Sequence, residues 1–523
     1  MMTNLYKTSI LIFGIVAGAF GSTAWGGDWP IDDKVRGVCY QPIPQNAFDN
    51  TVTPGTPNQC WFNGSDVCTE QFSALYGDGS GAGVAVQGGQ ARYDVDHMQS
   101  ASFNVIRMYD WYGQATGAAE SNCRWKQQGP APPAGGNGHL HFLDYCDDHG
   151  IKVIVPISNY IICSFPTSPP DEGGFTWQEL TLGVINSCKL GDGSLHPAVH
   201  SFSVGNETDI PENTGCLSNT NEGLDRACRI VNYILSNTAV QNAGVMATIP
   251  ISNRRNGTYP KQDESPFIHF ENMRDGGSYT VGAVTSSIDP KNKIQRYDKF
   301  YNSLQAFQKG DEYVTQILEP YDRRFGKTTA KPKLIFTEWG YPRFVDGVCT
   351  TWGGSQPPTT DQAQADVLVN AMEPTWNYFT DHPNTLFRGI CVFQWQDSRS
   401  AVARGCNTTF GLHKYAGGQA GTAKFDCAYC GGTYWTPGTH DIDPLREIMT
   451  TEGEPITEVF SSIWSPQLLG DLDGNGIVDR DDLVLLLSEL GYEQHDSDFD
   501  RDIDAQDLGR LLGNWGLYGQ GKP

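Results

Sequence analysis

The feature that most constrains this chain is an alternation of seven short apolar runs with stretches of helical pattern. The runs lie at 35–40, 104–109, 152–157, 200–204, 244–249, 333–337 and 389–395, and the helical stretches at 93–100, 139–149, 224–236, 297–307 and 362–379. Runs of strand length separated by amphipathic segments predict βα units on a parallel sheet. Seven is one short of a closed eight-fold barrel. The missing strand should fall between 253 and 293, where 279–285 is the only candidate and a weak one. The fold class expected is therefore α/β, a (β/α)8 barrel. Its long loops, notably 41–90 and 113–138, are rich in Gly, Pro and Ser, and such a barrel carries its binding surface on loops that follow strands.

A chain of 523 residues leaves room for such a barrel plus an accessory module. Its 36 basic and 60 acidic residues give a net charge of −24, which repels phosphate backbones and anionic lipid and argues against nucleic acid or a membrane surface as partner. Lys7, an apolar run over 10–20 and Ser22-Thr23-Ala24 read as a signal peptide over 1–24, too short to span a bilayer comfortably. The protein is expected to be secreted, and nothing in the chain suggests more than a monomer. Its 14 cysteines then read as disulfides of unassigned pairing. Cys427 and Cys430 form a C-x-x-C without the second ligand pair that zinc needs. The barrel domain is expected over 28–465, with a Cys-rich closing segment from 416.

Beyond Gly470 the composition changes: 13 acidic residues fall between Asp471 and Asp507 against two basic ones. Two twelve-residue loops start 25 positions apart, at Asp471 and Asp496. In the first, Asp471, Asp473, Asn475, Asp479 and Asp482 offer side-chain oxygens at positions 1, 3, 5, 9 and 12, and Ile477 offers its carbonyl at position 7. In the second the same places are held by Asp496, Asp498, Asp500, Asp504 and Asp507, with Asp502 at position 7. Calcium takes six to eight such oxygens. Each loop runs into a matched apolar stripe, Leu483, Leu486, Leu487 and Leu490 against Leu508, Leu511, Leu512 and Trp515, whereas an acidic tail would keep no such register. Residues 466–523 resemble a dockerin, the paired half-EF-hand module that tethers secreted enzymes to cohesin domains. The resemblance implies structural Ca2+ and a cohesin-like partner. Two departures weaken the match: Arg501 replaces the glycine of position 6, and Arg480-Asp481 and Ala505-Gln506 stand where many dockerins carry Ser or Thr.

Two glutamates follow predicted strands. Glu207 ends S-F-S-V-G-N-E, and Glu338 lies in L-I-F-T-E-W-G-Y-P. Residues at the C-terminal ends of barrel strands project into the active site, and a carboxylate directly after a buried run is costly unless paired or solvated in a cleft. Two carboxylates across a cleft are what acetal hydrolysis requires, one to protonate the leaving oxygen and one to attack. Asn221-Glu222, which no strand precedes, shows that the dipeptide alone means nothing.

Together with R-G-V-C-Y (36–40), N-V-I-R-M-Y-D (104–110), H-G-I-K-V-I-V (149–155), G-N-E (205–207) and T-E-W-G-Y-P (337–342), this order of motifs resembles the clan of retaining (β/α)8 glycoside hydrolases. Within it the chain is most similar to glycoside hydrolase family 17 and the related β-1,3-glucanosyltransferases, over residues 35–415. The resemblance implies Glu207 as general acid/base and Glu338 as nucleophile. It also implies Asn206 on the sugar 2-hydroxyl, Arg107 holding the nucleophile ionised, Trp395 as a sugar-stacking platform, and Tyr109, Asp110 and Tyr341 lining subsites. Core packing is the alternative for Tyr109 and Trp395, and a structural ion pair for Arg107. The clan's strand-6 tyrosine has no match here.

The activity expected is that of a secreted retaining β-glycanase on a polysaccharide, β-1,3-glucan first, with no catalytic metal. A transglycosylase, or a cellulase or mannanase, would use the same site. A non-catalytic carbohydrate-binding or scaffold protein is the alternative of another class, against which the presence of both glutamates argues.

Overall fold

The computed structural model describes residues 34–41, 67, 73–77, 91–109, 111, 138–167, 174–210, 220–253, 265–281, 284–344, 349–352, 355–397, 409–415 and 445–464. The signal segment, Asp110, Cys427, Cys430 and the whole C-terminal repeat lie outside the described residues.

Among the described residues, eight staves alternate with eight principal helices. The strands are β1 (Val35–Tyr40), β2 (Val105–Met108), β3 (Lys152–Ile157), β4 (Val199–Val204), β5 (in two halves, Met246–Thr248 and Pro250–Ser252), β6 (Asn302–Ala306), β7 (Leu334–Trp339) and β8 (Phe387–Val392). All neighbours pair in parallel, in the order first half of β5, β4, β3, β2, β1, β8, β7, β6, second half of β5. Because the halves of β5 are interrupted only at Ile249, this nine-segment sheet is a nearly closed parallel barrel of the TIM type. A single bridge, Ala247 to Phe300, spans the remaining seam. Closure is tight at Gly389, where a Cβ would stand 2.0 Å from the Val35 carbonyl oxygen.

The helices that follow the strands are α1 (Asp94–Ser100), α2 (Gly138–Asp148), α3 (Trp177–Ser187), α4 (Thr220–Ser236), α5 (Ser265–Asp275), α6 (Glu319–Phe325), α7 (Asp361–Asp381) and α8 (Ile456–Trp464). Their starts and faces follow from sequence. Thr176 and Glu179 form a reciprocal capping box before α3. On α4, Leu224, Ala227, Cys228, Val231, Ile234 and Leu235 form one buried stripe. The strands bury both faces, as parallel sheets do. One face meets the helices through the large core, and the other fills the barrel with Val35, Cys39, Val105, Ile154, Met246, Tyr301, Ile335 and Cys391. No described helix is long and apolar enough to cross a membrane.

Three expectations are corrected. The predicted helix over 297–307 is a 3-10 turn, Tyr297–Lys299, followed by β6, which is the missing strand. Polar side chains hid it: Asn302 accepts from the Tyr297 hydroxyl at 3.0 Å and donates to that of Tyr321 at 2.8 Å, so a fully buried strand carries no apolar run. The 279–285 candidate belongs to an antiparallel hairpin, Gly277–Val281 with Val284–Ile288, apart from the barrel sheet. Finally, Cys39, Cys146, Cys188, Cys228 and Cys391 are buried thiols outside any disulfide, while Cys163 and Cys349 are disulfide-bonded. The five lie on strands and helices or at a helix end, where a thiol packs as a small apolar group.

Candidate active site

Glu338 occupies the fifth position of β7. Ile335 faces the barrel interior, whereas Phe336 and Trp339 pack in the outer core. Simple alternation would put Ile335 and Trp339 on the same face. The registry explains the difference: Phe336 pairs with Leu304 and Glu338 with Gln305, leaving Thr337 as an extra residue. A bulge of this kind re-aims the side chains that follow it. It turns Glu338 inward with Ile335 and presents the Thr337 carbonyl to the Cys39 thiol at 3.3 Å and to Arg107 Nη1 at 3.1 Å.

Three donors converge on one carboxylate oxygen. Glu338 Oε1 accepts from Arg107 Nη1 at 2.6 Å, from the Tyr109 hydroxyl at 2.7 Å and from Gln305 Nε2 at 2.7 Å. No described hydrogen bond reaches Oε2. Arg107 stands on β2 two residues beyond inward-facing Val105, and Tyr109 continues that row just past the strand end, so alternation alone delivers both. Arg107 Nη1 also donates to the Tyr109 hydroxyl at 2.8 Å, and the guanidinium lies 4.5 Å from the centre of the tyrosine ring.

The cluster is dry. Glu338 is 5% exposed and Arg107 2%. Burial alone would lower the pKa of Arg107, but Tyr109, Glu338 and Cys39 more than offset it and leave the guanidinium above its ordinary value. Burial raises Tyr109 well above its usual range against the pull of Arg107, so the phenol stays a donor. The Cys39 thiol is pushed up to about 12, chiefly by burial, and stays protonated. Glu338 thus has charge-assisted and neutral donors around one oxygen, in a medium where each counts for more than in water.

Asn206 joins the same network. Its Oδ1 accepts from Arg107 Nη2 at 2.6 Å and from Gln305 Nε2 at 2.5 Å. Its backbone is clamped by Asn159, whose side chain accepts from Asn206 N at 2.9 Å and donates to Asn206 O at 3.1 Å. The sharp exit from β4 depends on Gly205, whose φ is +73°. A Cβ there would meet Thr208 Oγ1 at 2.5 Å, Ile162 at 2.7 Å and Asn159 Oδ1 at 2.9 Å. Glu207 follows with φ +47°, a left-handed conformation that costs a non-glycine residue about 1–2 kcal/mol. Strain of this kind gathers at functional sites. Glu207 is partly exposed and stands one residue beyond Asn206.

Other proposed residues are placed elsewhere. Trp395 is 1% exposed, with His413 at 4.0 Å and Phe103 at 6.1 Å between ring centres, which is core packing rather than the sugar platform expected. The resemblance implied that role for a tryptophan on strand 8, whereas β8 ends at Val392 and Trp395 stands beyond it. Half-buried Phe393 packs against the barrel-interior cluster instead, its ring centre 6.0 Å from that of Tyr109. Tyr341 is also buried, with Lys309 Nζ 5.0 Å from its ring centre. No sequence motif marks Gln305, Asn159 or Phe393, whose partners come from distant elements. Among the described residues, no cluster of three or more His, Cys, Asp or Glu is arranged to hold a metal.

No protein-family model matches the chain, and no curated protein does. Solved structures resemble it in outline. The β-glucuronidase 2 of Bacteroides uniformis aligns at 12% identity and TM-score 0.37, over 73% of this chain and 33% of its own, so this chain spans about a third of it. A GH2 β-galacturonidase from Eisenbergiella tayi aligns at 12% identity and TM-score 0.35, over 82% of this chain and 50% of that one. A family 1 β-glucosidase from Thermotoga maritima aligns at 12% identity and TM-score 0.42, over 73% of this chain and 93% of its own. Likeness at this level assigns no residue and no substrate.

Proposed function

We propose that this chain is a retaining β-glycosidase acting on a polysaccharide, β-1,3-glucan first, with Glu338 as nucleophile and Glu207 as acid/base. The observation that carries this reading is the asymmetry of the Glu338 carboxylate: Oε1 is held by three donors while Oε2 receives none among the described residues. An ion pair serving stability alone has no need of this, since burying two charges rarely repays their desolvation. A nucleophile needs an ionised group, a fixed rotamer and one oxygen left for attack.

In the first step Oε2 attacks the anomeric carbon, the exocyclic C–O bond breaks, and Glu207 gives its proton to the departing oxygen. In the second, Glu207 takes a proton from water, whose oxygen displaces Glu338 and restores the original anomeric configuration. The Asn206 amide nitrogen, turned away from its donors, meets the sugar 2-hydroxyl. The deciding experiment is product analysis on laminarin, curdlan, barley β-glucan, cellulose and mannan with wild type and Glu338→Gln in parallel. Laminari-oligosaccharides that vanish in the variant support the whole reading. Activity on cellulose or mannan alone removes the β-1,3 assignment, and silence on every glycan removes the enzyme.

The C-terminal repeat supports a second, separable part of the proposal: a calcium-folded tether, in a secreted enzyme, to a cohesin-like partner. A tether of this sort raises local enzyme concentration on an insoluble polymer. Calorimetric titration of the full chain with calcium after chelator treatment tests it, and absence of binding overturns it.

A further inference from the structure

Gln305 lies at the centre of the polar cluster, on β6. It is the registry partner of Glu338 across β6 and β7. Its single amide nitrogen donates to Glu338 Oε1 at 2.7 Å and to Asn206 Oδ1 at 2.5 Å. Arg107 reaches the same two oxygens from the other side with Nη1 and Nη2, each at 2.6 Å. Two double donors therefore bracket two acceptors. Arginine has no acceptor atom, so Asn206 must turn its oxygen to Arg107. Gln305, facing that same oxygen, must in turn present its nitrogen. Every amide orientation in the cluster follows from the arginine, and the Asn206 nitrogen is the atom left over.

We propose that Gln305 is a positioning residue that sets the nucleophile and the 2-hydroxyl-binding amide together, so that attack and recognition of the 2-hydroxyl depend on one side chain. This rests on the glycosidase reading above. A purely structural role fits poorly. Gln305 is 1% exposed and its Oε1 is buried with no hydrogen-bond partner, a cost that an apolar side chain of the same length would avoid.

The test uses the full chain and a chromogenic oligosaccharide of whichever glycan the wild type cleaves. The same compound lacking the 2-hydroxyl on the sugar that is attacked is assayed beside it. Gln305→Leu should lower kcat/KM on the 2-hydroxy substrate by about 10²–10³-fold, the scale of losing one preorganised donor. On the 2-deoxy compound the loss should be smaller by about ten-fold or more, because the Asn206 contact is already absent there and only the contribution through Glu338 remains. A merely structural substitution lowers both alike, and equal losses, or none, overturn the inference. Gln305→Glu gives a second readout should the first variant fail to fold. Protonated, the introduced carboxyl can donate; ionised, it repels Glu338, so the alkaline limb of the pH profile should move toward acid. An unmoved profile overturns the proposal. Silence of the wild type on every glycan overturns the glycosidase reading and this inference with it, whereas an active wild type with unselective variants removes this inference alone.

Discussion

Arg107 Nη1 stands 2.6 Å from Glu338 Oε1 inside the barrel, with both side chains almost wholly removed from water. Removing one member leaves the other as an uncompensated buried charge, which costs about 3–5 kcal/mol, while replacing both by apolar groups is often close to neutral. Arg107→Met should therefore destabilise the fold on that scale in urea unfolding. Arg107→Met combined with Glu338→Leu should recover most of the loss without restoring activity. A double variant as unstable as the sum of the singles would show that the two residues do not act as a pair.

Glu207 is cast as the proton donor to the leaving group, so its loss should depend on how much help that group needs. Glu207→Ala should lower turnover of natural glycans by about 10²–10⁴-fold, the usual range for general acid/base catalysis. Dinitrophenyl glycosides should keep a fast first step. Added azide, an anion small enough to occupy the vacated space, should restore turnover and yield a β-glycosyl azide. A product of inverted configuration, read by proton NMR, would overturn the double displacement.

Gly205 and Asn159 both control where Asn206 sits, by different means. Gly205→Ala places a Cβ in a left-handed backbone, φ +73°, against Thr208, Ile162 and Asn159. It should cost more than the roughly 1–2 kcal/mol of the backbone strain alone. Asn159→Ala releases the clamp on the Asn206 peptide without any such clash. It should lower kcat/KM more than it lowers the melting temperature. If the two variants showed the same ratio of stability loss to activity loss, the clamp would have no positioning role.

Elements that announce themselves locally were legible in the sequence. β7 is an apolar run with a glutamate near its end, and the G-N-E turn needs its glycine whatever surrounds it. The resemblance pointed to Arg107 and Tyr109, and alternation along β2 turns both inward. Hidden from sequence were residues whose environment is supplied from afar. Gln305 lies on a strand whose buried polar groups are satisfied by Tyr297 and Tyr321, so no hydrophobic pattern marks it. Asn159 acts on a backbone 47 residues away. The resemblance pointed to Trp395, but β8 ends at Val392, after which Phe393 rather than the tryptophan meets the barrel-interior cluster.

Acid should unfold the protein through three histidines buried in the neutral form. Burial depresses His200 to about 3, with nearby Lys152 adding to the effect. It depresses His269 to about 4. His413 is likewise lowered to about 4, chiefly by burial. In the unfolded chain each binds its proton near pH 6.5, before the folded form does, so stability is complete above that pH and is lost as pH falls toward 4. Each contributes about 1.4 kcal/mol per pH unit across that window. Asp397 works the other way: burial, against the pull of Arg343, raises it to about 6. The folded state therefore takes up that proton first between pH 6 and 4 and offsets one histidine. For these four groups the balance is a fall of about 3 kcal/mol per pH unit below pH 6, steep against a typical total of about 5–15 kcal/mol. His269, whose Nδ1 has no hydrogen-bond partner, is the cleanest to remove. Urea unfolding from pH 7 to 4.5 should show the predicted slope in the wild type and a slope about one proton shallower in His269→Phe. A flat stability curve, or a variant with unchanged slope, would show that these imidazoles are not what acid attacks.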